Sequence, residues 1–348
     1  MNVFIFSLAA LALYAAPGPT IAPSGATDLE TLRVRSAAVA ADCKSHFVDI
    51  DARSGLGAAL YSRVQSDAAR IDAAALGKTD ARFTAADLTM LVDLDRSVID
   101  QLSTGVYRDL GSVRGAGAVL LRLSDAGKPQ PVAVFVPPSY GVSEKVPSLI
   151  IYLHGKDEHE GEVIASHTIR QLATDSESVV VAPFLNGKDL MSDRSVTELY
   201  RLVDLVEQSF RIDRRSVYLA GHSLGGFATF KAATVHPDRW TALLVAAGAV
   251  AESDSDSVAQ HLRGKPVYLV AGSADKQVTA TYMRQLAAWL ALHGALPSYY
   301  EQAGAAHDFA MLAPALGRAW RDMLAGVRSP VPDTFAQPSV PPQTPKPF

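Results

Sequence analysis

A serine stands between glycines in the run AGHSLGGFATF, Ala220 to Phe230. Gly221 to Gly225 has the spacing G-x-S-x-G, entered from SVYLA and leaving into FATFKAATV. A serine used as a nucleophile at a strand end must occupy a sharp turn into a helix, and its neighbours must lack side chains so that chain segments can close on it. Gly225 and Gly226 relieve that crowding. The plainer reading of Ser223 is an inert residue in a glycine-rich turn, so the question is whether the sequence also supplies its partners.

A serine hydroxyl is a poor nucleophile near neutral pH; a base must take its proton and a carboxylate must fix the tautomer of that base. On a strand-turn-helix scaffold the order is serine, acid, histidine. Asp275 follows the run Pro266 to Gly272, and His307 follows Pro297 to Ala303. Both fall at carboxyl ends of strands, the edge of the sheet on which Ser223 lies. Asp275 also suits a turn or the N-cap of KQVTATYMRQL, and His293 is a second histidine in range, placed at the end of a helix where the dipole favours it. Asp308 reads as a surface or capping group.

The oxyanion of a tetrahedral intermediate needs backbone N–H donors already in place. Leu224 supplies one, directly after the nucleophile; the loop after IIYLHG, around Gly155 and Lys156, supplies the other, with Lys156 assigned as donor. His154 reads as an orienting residue for that loop. His154 and His159 suggest a metal, but no third ligand follows at a recognisable spacing, so no metal or cofactor is expected. Glu252 to Asp256 lacks the glycine and terminal glutamate of a calcium loop and reads as a solvated segment.

The elements that must position these residues are legible in the hydrophobic period. Strand-length apolar runs lie at Ser148 to His154, Ser178 to Phe184, Ser216 to His222, Thr241 to Ala247, Pro266 to Gly272 and Pro297 to Ala303, with helical spacing between several of them. Strands apolar on both faces and alternating with helices imply a mostly parallel sheet covered on both sides. A strand pair, Gly115 to Ser124 and Pro131 to Pro138, fits antiparallel onto one edge. Residues 27–111 form a small helical module of about three helices, with apolar repeats in Leu56, Leu60, Val64 and in Leu88, Leu91, Val92, and Thr84 as an N-cap. That module carries scattered charges and no catalytic motif.

With 348 residues, 48% of them hydrophobic, the chain can bury a substantial core. Its 32 basic and 36 acidic residues leave a formal charge of -4 without a basic block, which argues against a nucleic-acid partner. Cys43 stands alone, so no intrachain disulfide forms. Residues 1–26 resemble a signal peptide: Val3 to Ala16 is apolar, Pro, Gly and Ser follow, and Ser24 and Ala26 make an acceptable cleavage pair. The apolar run is short for a membrane span. Export to a secreted or periplasmic location is expected; a retained anchor or a buried N-terminal segment are the alternatives. Residues 329–348 hold seven of the chain's 20 prolines and are expected to be an extended or disordered tail.

From about Gln130 to Val327 the chain resembles the α/β-hydrolase superfamily, within it the esterases and peptidases of the prolyl-oligopeptidase-like and polyhydroxybutyrate-depolymerase-like groups. VFVPPSY, FRIDRRSVYLAGHSLGGFATFKAATVHPDRWTALLVAAG, YLVAGSADKQV and EQAGAAHDF carry the resemblance. It implies the α/β-hydrolase fold and Ser223, Asp275 and His307 as a triad, in agreement with the order argued above. LHGKDEHEGE departs from it, with one glycine after the histidine where many relatives have several. No long insertion separates Ala247 from Pro266, so no large lid is expected, although a short cap could come from the N-terminal helices. The expected function is a serine hydrolase cleaving a small or polymeric carboxylic ester through an acyl-enzyme. A small serine peptidase and a non-catalytic binding protein that kept the fold are the alternatives.

Overall fold

Runs of Val, Ile and Leu become strands and the amphipathic segments between them become the helices that cover the sheet. The computed structural model describes residues 29–77, 83–125, 127–185, 187–329 and 331. The expected signal peptide and nearly all of the proline-rich tail lie outside the described residues. The chain begins with α1 (Leu29–Ser45), α2 (Phe47–Ser54), α3 (Gly57–Ala75) and α4 (Ala85–Thr104), then β1 (Gly115–Leu121), β2 (Gln130–Val136) and β3 (Ser148–Leu153). Next come α5 (Glu160–Ala165), α6 (His167–Asp175), β4 (Ser178–Pro183), α7 (Asp193–Ser209), β5 (Val217–His222) and α8 (Leu224–Val235). The order closes with β6 (Ala242–Ala246), α9 (Ser255–His261), β7 (Pro266–Gly272), α10 (Ala280–Leu292), β8 (Leu296–Gln302) and α11 (Phe309–Ala325).

The eight strands form one sheet in the order β1-β2-β4-β3-β5-β6-β7-β8. β1 and β2 enter antiparallel at one edge, and β4 through β8 are parallel with β3. Because side chains alternate across a pleated strand, each strand feeds two cores. Leu149, Ile151 and Leu153 of β3 point into the core under α7, α8 and α10, whereas Ile150 and Tyr152 join the opposite core.

That second core reaches into the helical module. Leu32, Val39, Ile50, Leu60, Val64, Leu91 and Leu102 from α1 to α4 belong to the same apolar cluster as Ala116, Ala118 and Leu120 of β1 and Phe135 of β2. Gln101 Nε2 also donates to the Ala118 carbonyl at 3.0 Å, tying α4 to the edge strand. Among the described residues four helices stand where the hydrophobic period indicates about three, because α2 is a short segment of about two turns closed by Gly55 in the left-handed region (φ 69°). Thr84 caps α4 in a capping box: Asp87 N–H donates to its Oγ1, and Asp87 Oδ2 accepts from its N–H at 2.9 Å. Cys43 is fully buried in the module, and burial pushes its thiol up to about 11. No described helix is long and apolar enough to cross a membrane.

Candidate active site

β5 ends at His222 and α8 starts at Leu224, so Ser223 alone makes the turn, at φ 53° and ψ −119°. A non-glycine residue pays for that left-handed backbone in strain. The surrounding glycines are obligatory: a Cβ on Gly221 would fall 2.2 Å from the Gly225 carbonyl oxygen, and one on Gly225 would fall 2.1 Å from that of Leu153. Ser223 N–H is tied to the Ala246 carbonyl of the neighbouring strand at 2.9 Å, which fixes the turn to the sheet.

The structure brings Ser223, His307 and Asp275 together. His307 Nε2 lies 2.8 Å from Ser223 Oγ, and His307 Nδ1 lies 2.7 Å from Asp275 Oδ2. A carboxylate only accepts, so Nδ1 carries the proton and Nε2 is left to accept from the serine hydroxyl. Asp275 is itself held: its Oδ1 accepts the backbone N–H groups of Gln277 (2.8 Å) and Val278 (2.9 Å). The turn role and the histidine-orienting role of Asp275 therefore coincide in one side chain. His293 is elsewhere, its Nδ1 at 2.8 Å from the Trp289 carbonyl at the end of α10, and Asp308 caps α11 by accepting Met311 N–H.

Of the two oxyanion-side candidates, Leu224 contributes the first N–H of α8, a position whose amide has no partner within the helix. On the other side Gly155 N–H donates to Glu158 Oε2 at 2.7 Å, so it is committed within its own loop, and Lys156 follows it. Asp157 turns the loop at φ 59°. His154 is buried between the carbonyls of Gly155 and Phe184.

Two residues that sequence reasoning missed stand here. Glu158 Oε1 is 3.5 Å from Nδ1 of the buried His222, whose ring centroid is 5.4 Å from that of His307. Burial works against the Glu158 anion, but His222 and Gly155 N–H outweigh it and bring its pKa down to about 2.

The cavity at Ser223, about 510 Å³, is lined by Gly155 to Glu158, His222, His307 and Gln277, and on its far side by Ser66 and Arg70 of α3. Among the described residues no aliphatic side chain lines it. The helical module is therefore a wall of the site, which its scattered charges did not announce. Among those charges Arg63, Asp67 and Asp95 are buried and paired. Arg63 Nε bonds Asp95 at 2.8 Å and its Nη1 bonds Glu160. Asp67 meets His159 Nε2 at 3.1 Å, and Arg70 Nη1 bridges Asp67 (3.0 Å) and Glu162 (2.8 Å). Burial first, then the Arg63 guanidinium, pushes the His159 imidazole down to about 4. Burial pushes Asp95 up to about 7 against the pull of Arg63.

Asp67, His159 and Glu162 each offer one ligand atom, all within 4.8 Å of one another. These are the third and fourth groups that the His154–His159 spacing lacked, although His154 is not among them. Arg70 already supplies a positive charge to both carboxylates.

Residues 199–325 match the family model described as a putative esterase. No curated protein matches the chain. Among solved structures, the fluorophosphonate-binding serine hydrolase FphF of Staphylococcus aureus is 17% identical, with 60% of this chain and 99% of that one covered at a TM-score of 0.51. A ferulic acid esterase of Anaeromyces mucronatus is 16% identical, with 59% and 89% covered at 0.51. At such identities the likeness is one of fold, and the fold is that of the α/β-hydrolases. The family-model match spans about a third of the chain, and what the solved structures share with it is the fold.

Proposed function

We propose that the protein hydrolyses carboxylic esters through an acyl-enzyme on Ser223. The carrying observation is the unbroken chain from Asp275 Oδ2 through His307 to Ser223 Oγ, 2.7 and 2.8 Å, on a strained strand-to-helix turn. Ser223 Oγ attacks the acyl carbon while its proton passes to His307 Nε2. The bond to the alcohol then breaks, and His307 returns the proton to the departing oxygen. Water, deprotonated by His307, attacks the acyl-serine; the acid leaves as the acyl–Oγ bond breaks and His307 returns the proton to Ser223 Oγ. Asp275 holds Nδ1–H throughout, and the amides of Leu224 and Lys156 face the oxyanion.

Polar lining around Ser223 favours esters whose flanking groups form hydrogen bonds over long aliphatic acyl chains. Feruloyl esters belong in the test set because a structural neighbour is described as a ferulic acid esterase. A fluorophosphonate probe should label the wild-type protein and not Ser223→Ala. Aryl, feruloyl and acetylated-sugar esters should be turned over faster than peptides. Unlabelled wild type, or equal labelling of the variant, sinks the mechanism; faster turnover of peptides than of all these esters sinks the substrate class.

A further inference from the structure

We propose that Glu158 is a positioning residue for the oxyanion-side loop and that helix α3 anchors it, so that the helical module is a working part of the catalytic apparatus. The proposal rests on the esterase reading above. Gly155 to Glu158 must present the Lys156 amide at one orientation, and it is a four-residue loop with a left-handed turn at Asp157 and a long backbone bond from Glu158 N–H to the Gly155 carbonyl at 3.4 Å. The Glu158 carboxylate closes it with a shorter bond. One oxygen takes Gly155 N–H at 2.7 Å and the other faces His222, the residue immediately before the nucleophile. Both sides of the oxyanion site are thereby referenced to a single side chain. Glycine at 155 is part of the device, because a Cβ there would lie 2.7 Å from Glu158 Oε2 and 3.2 Å from His222 Nδ1.

A carboxylate can only position a loop if its own backbone is fixed. The residues that follow it are gripped by one face of α3: Arg63 by Glu160, Asp67 by His159, and Arg70 by Glu162. Positions 63, 67 and 70 fall on the same side of a helix at the i, i+4, i+7 spacing. Pairs buried to this degree set geometry more than they add stability, because desolvation offsets most of their attraction. A stripe of three such grips beside the loop has the form of an orienting clamp.

The test compares Glu158→Ala with Glu158→Gln, which keeps an oxygen for Gly155 N–H. Removing an oxyanion donor outright costs about 100- to 1000-fold in kcat, and misplacing one should cost less. Glu158→Ala should lower kcat on an aryl ester about 10- to 100-fold with KM within about threefold, and should weaken a trifluoromethyl ketone inhibitor in step with kcat. Glu158→Gln should recover most of both. Arg70→Met should move kcat in the same direction as Glu158→Ala, assayed well below its melting temperature. A kcat within twofold for Glu158→Ala, a loss confined to KM, or a Gln variant as impaired as the Ala variant overturns the proposal. If the variants do not fold, hydrogen exchange in the wild-type protein decides: Gly155 N–H should be protected, and exchange at an open-loop rate overturns it. That last measurement does not depend on hydrolysis, so a failure of the esterase reading would be recognised separately.

Discussion

Two walls meet at Ser223, and they are built on opposite principles. The elbow wall is made by consecutive residues: β5, one strained serine and α8, with glycines where backbone oxygens approach within 2.1 and 2.2 Å of any added Cβ. The facing wall is made by distant ones. Arg63 and Glu160 are 97 positions apart, and Asp67 and His159 are 92 apart. The elbow holds its shape by excluding atoms, the facing wall by neutralising charge. Steric exclusion is short-ranged and indifferent to pH, whereas a buried charge network has tolerances set by protonation and by the loss of any one partner.

This contrast can be broken at either wall. The largest effect belongs to the elbow: Gly225→Ala forces backbone against backbone and should destabilise by more than about 4 kcal/mol, read as a collapse in soluble yield and in probe labelling. A well-folded, active Gly225→Ala protein would show that sterics do not define this wall. Next comes Arg63→Met, which strands the carboxylates of Asp95 and Glu160 in the interior. About 3–5 kcal/mol should be lost, or about 5–8 °C in melting temperature, while the elbow remains intact in the folded fraction. A change below 2 °C would mean that the network carries no such tension.

The smallest effect is the one that separates charge from shape. His159 keeps a folded-state pKa of about 4 against 6.5 for the free side chain. Above pH 6.5 it is neutral in both states; as pH falls from 6.5 to 4 the unfolded chain gains a proton that the folded one refuses, so stability is lost over that window. His159→Gln lacks this loss. The gap in melting temperature between wild type and His159→Gln should shift against the wild type as pH falls from 6.5 to 4, and parallel curves would refute it.

Legibility in the sequence follows the same divide. The elbow and the strand ends bearing Asp275 and His307 are local signals, and the strands fall within a residue or two of the apolar runs. The strand pair at Gly115 to Pro138 sits at the sheet edge as its pattern implies. Arg63, Asp67 and Arg70 look like the solvated face of an amphipathic helix, because charged residues are seldom buried unless paired and their partners lie in another segment. His159 offered the one hint: a histidine among Glu158, Glu160 and Glu162 is more charge than a short loop needs. The left-handed Asp157 gives no sign at all, since aspartate turns occur in many conformations.

The apolar cluster shared by α1 to α4 and the β1 and β2 face bears on how such a chain could be divided or recombined. A chimera that grafts this front end onto another hydrolase, or removes it to obtain a minimal enzyme, would expose Ala116, Leu120 and Phe135 and orphan the carboxylates of Glu160 and Glu162 in one cut. Transplantation would succeed only if the stretch from Gly155 to Glu162 travelled with the helices. The unit of inheritance is then the pair of segments, although about fifty residues lie between the end of α4 and Gly155.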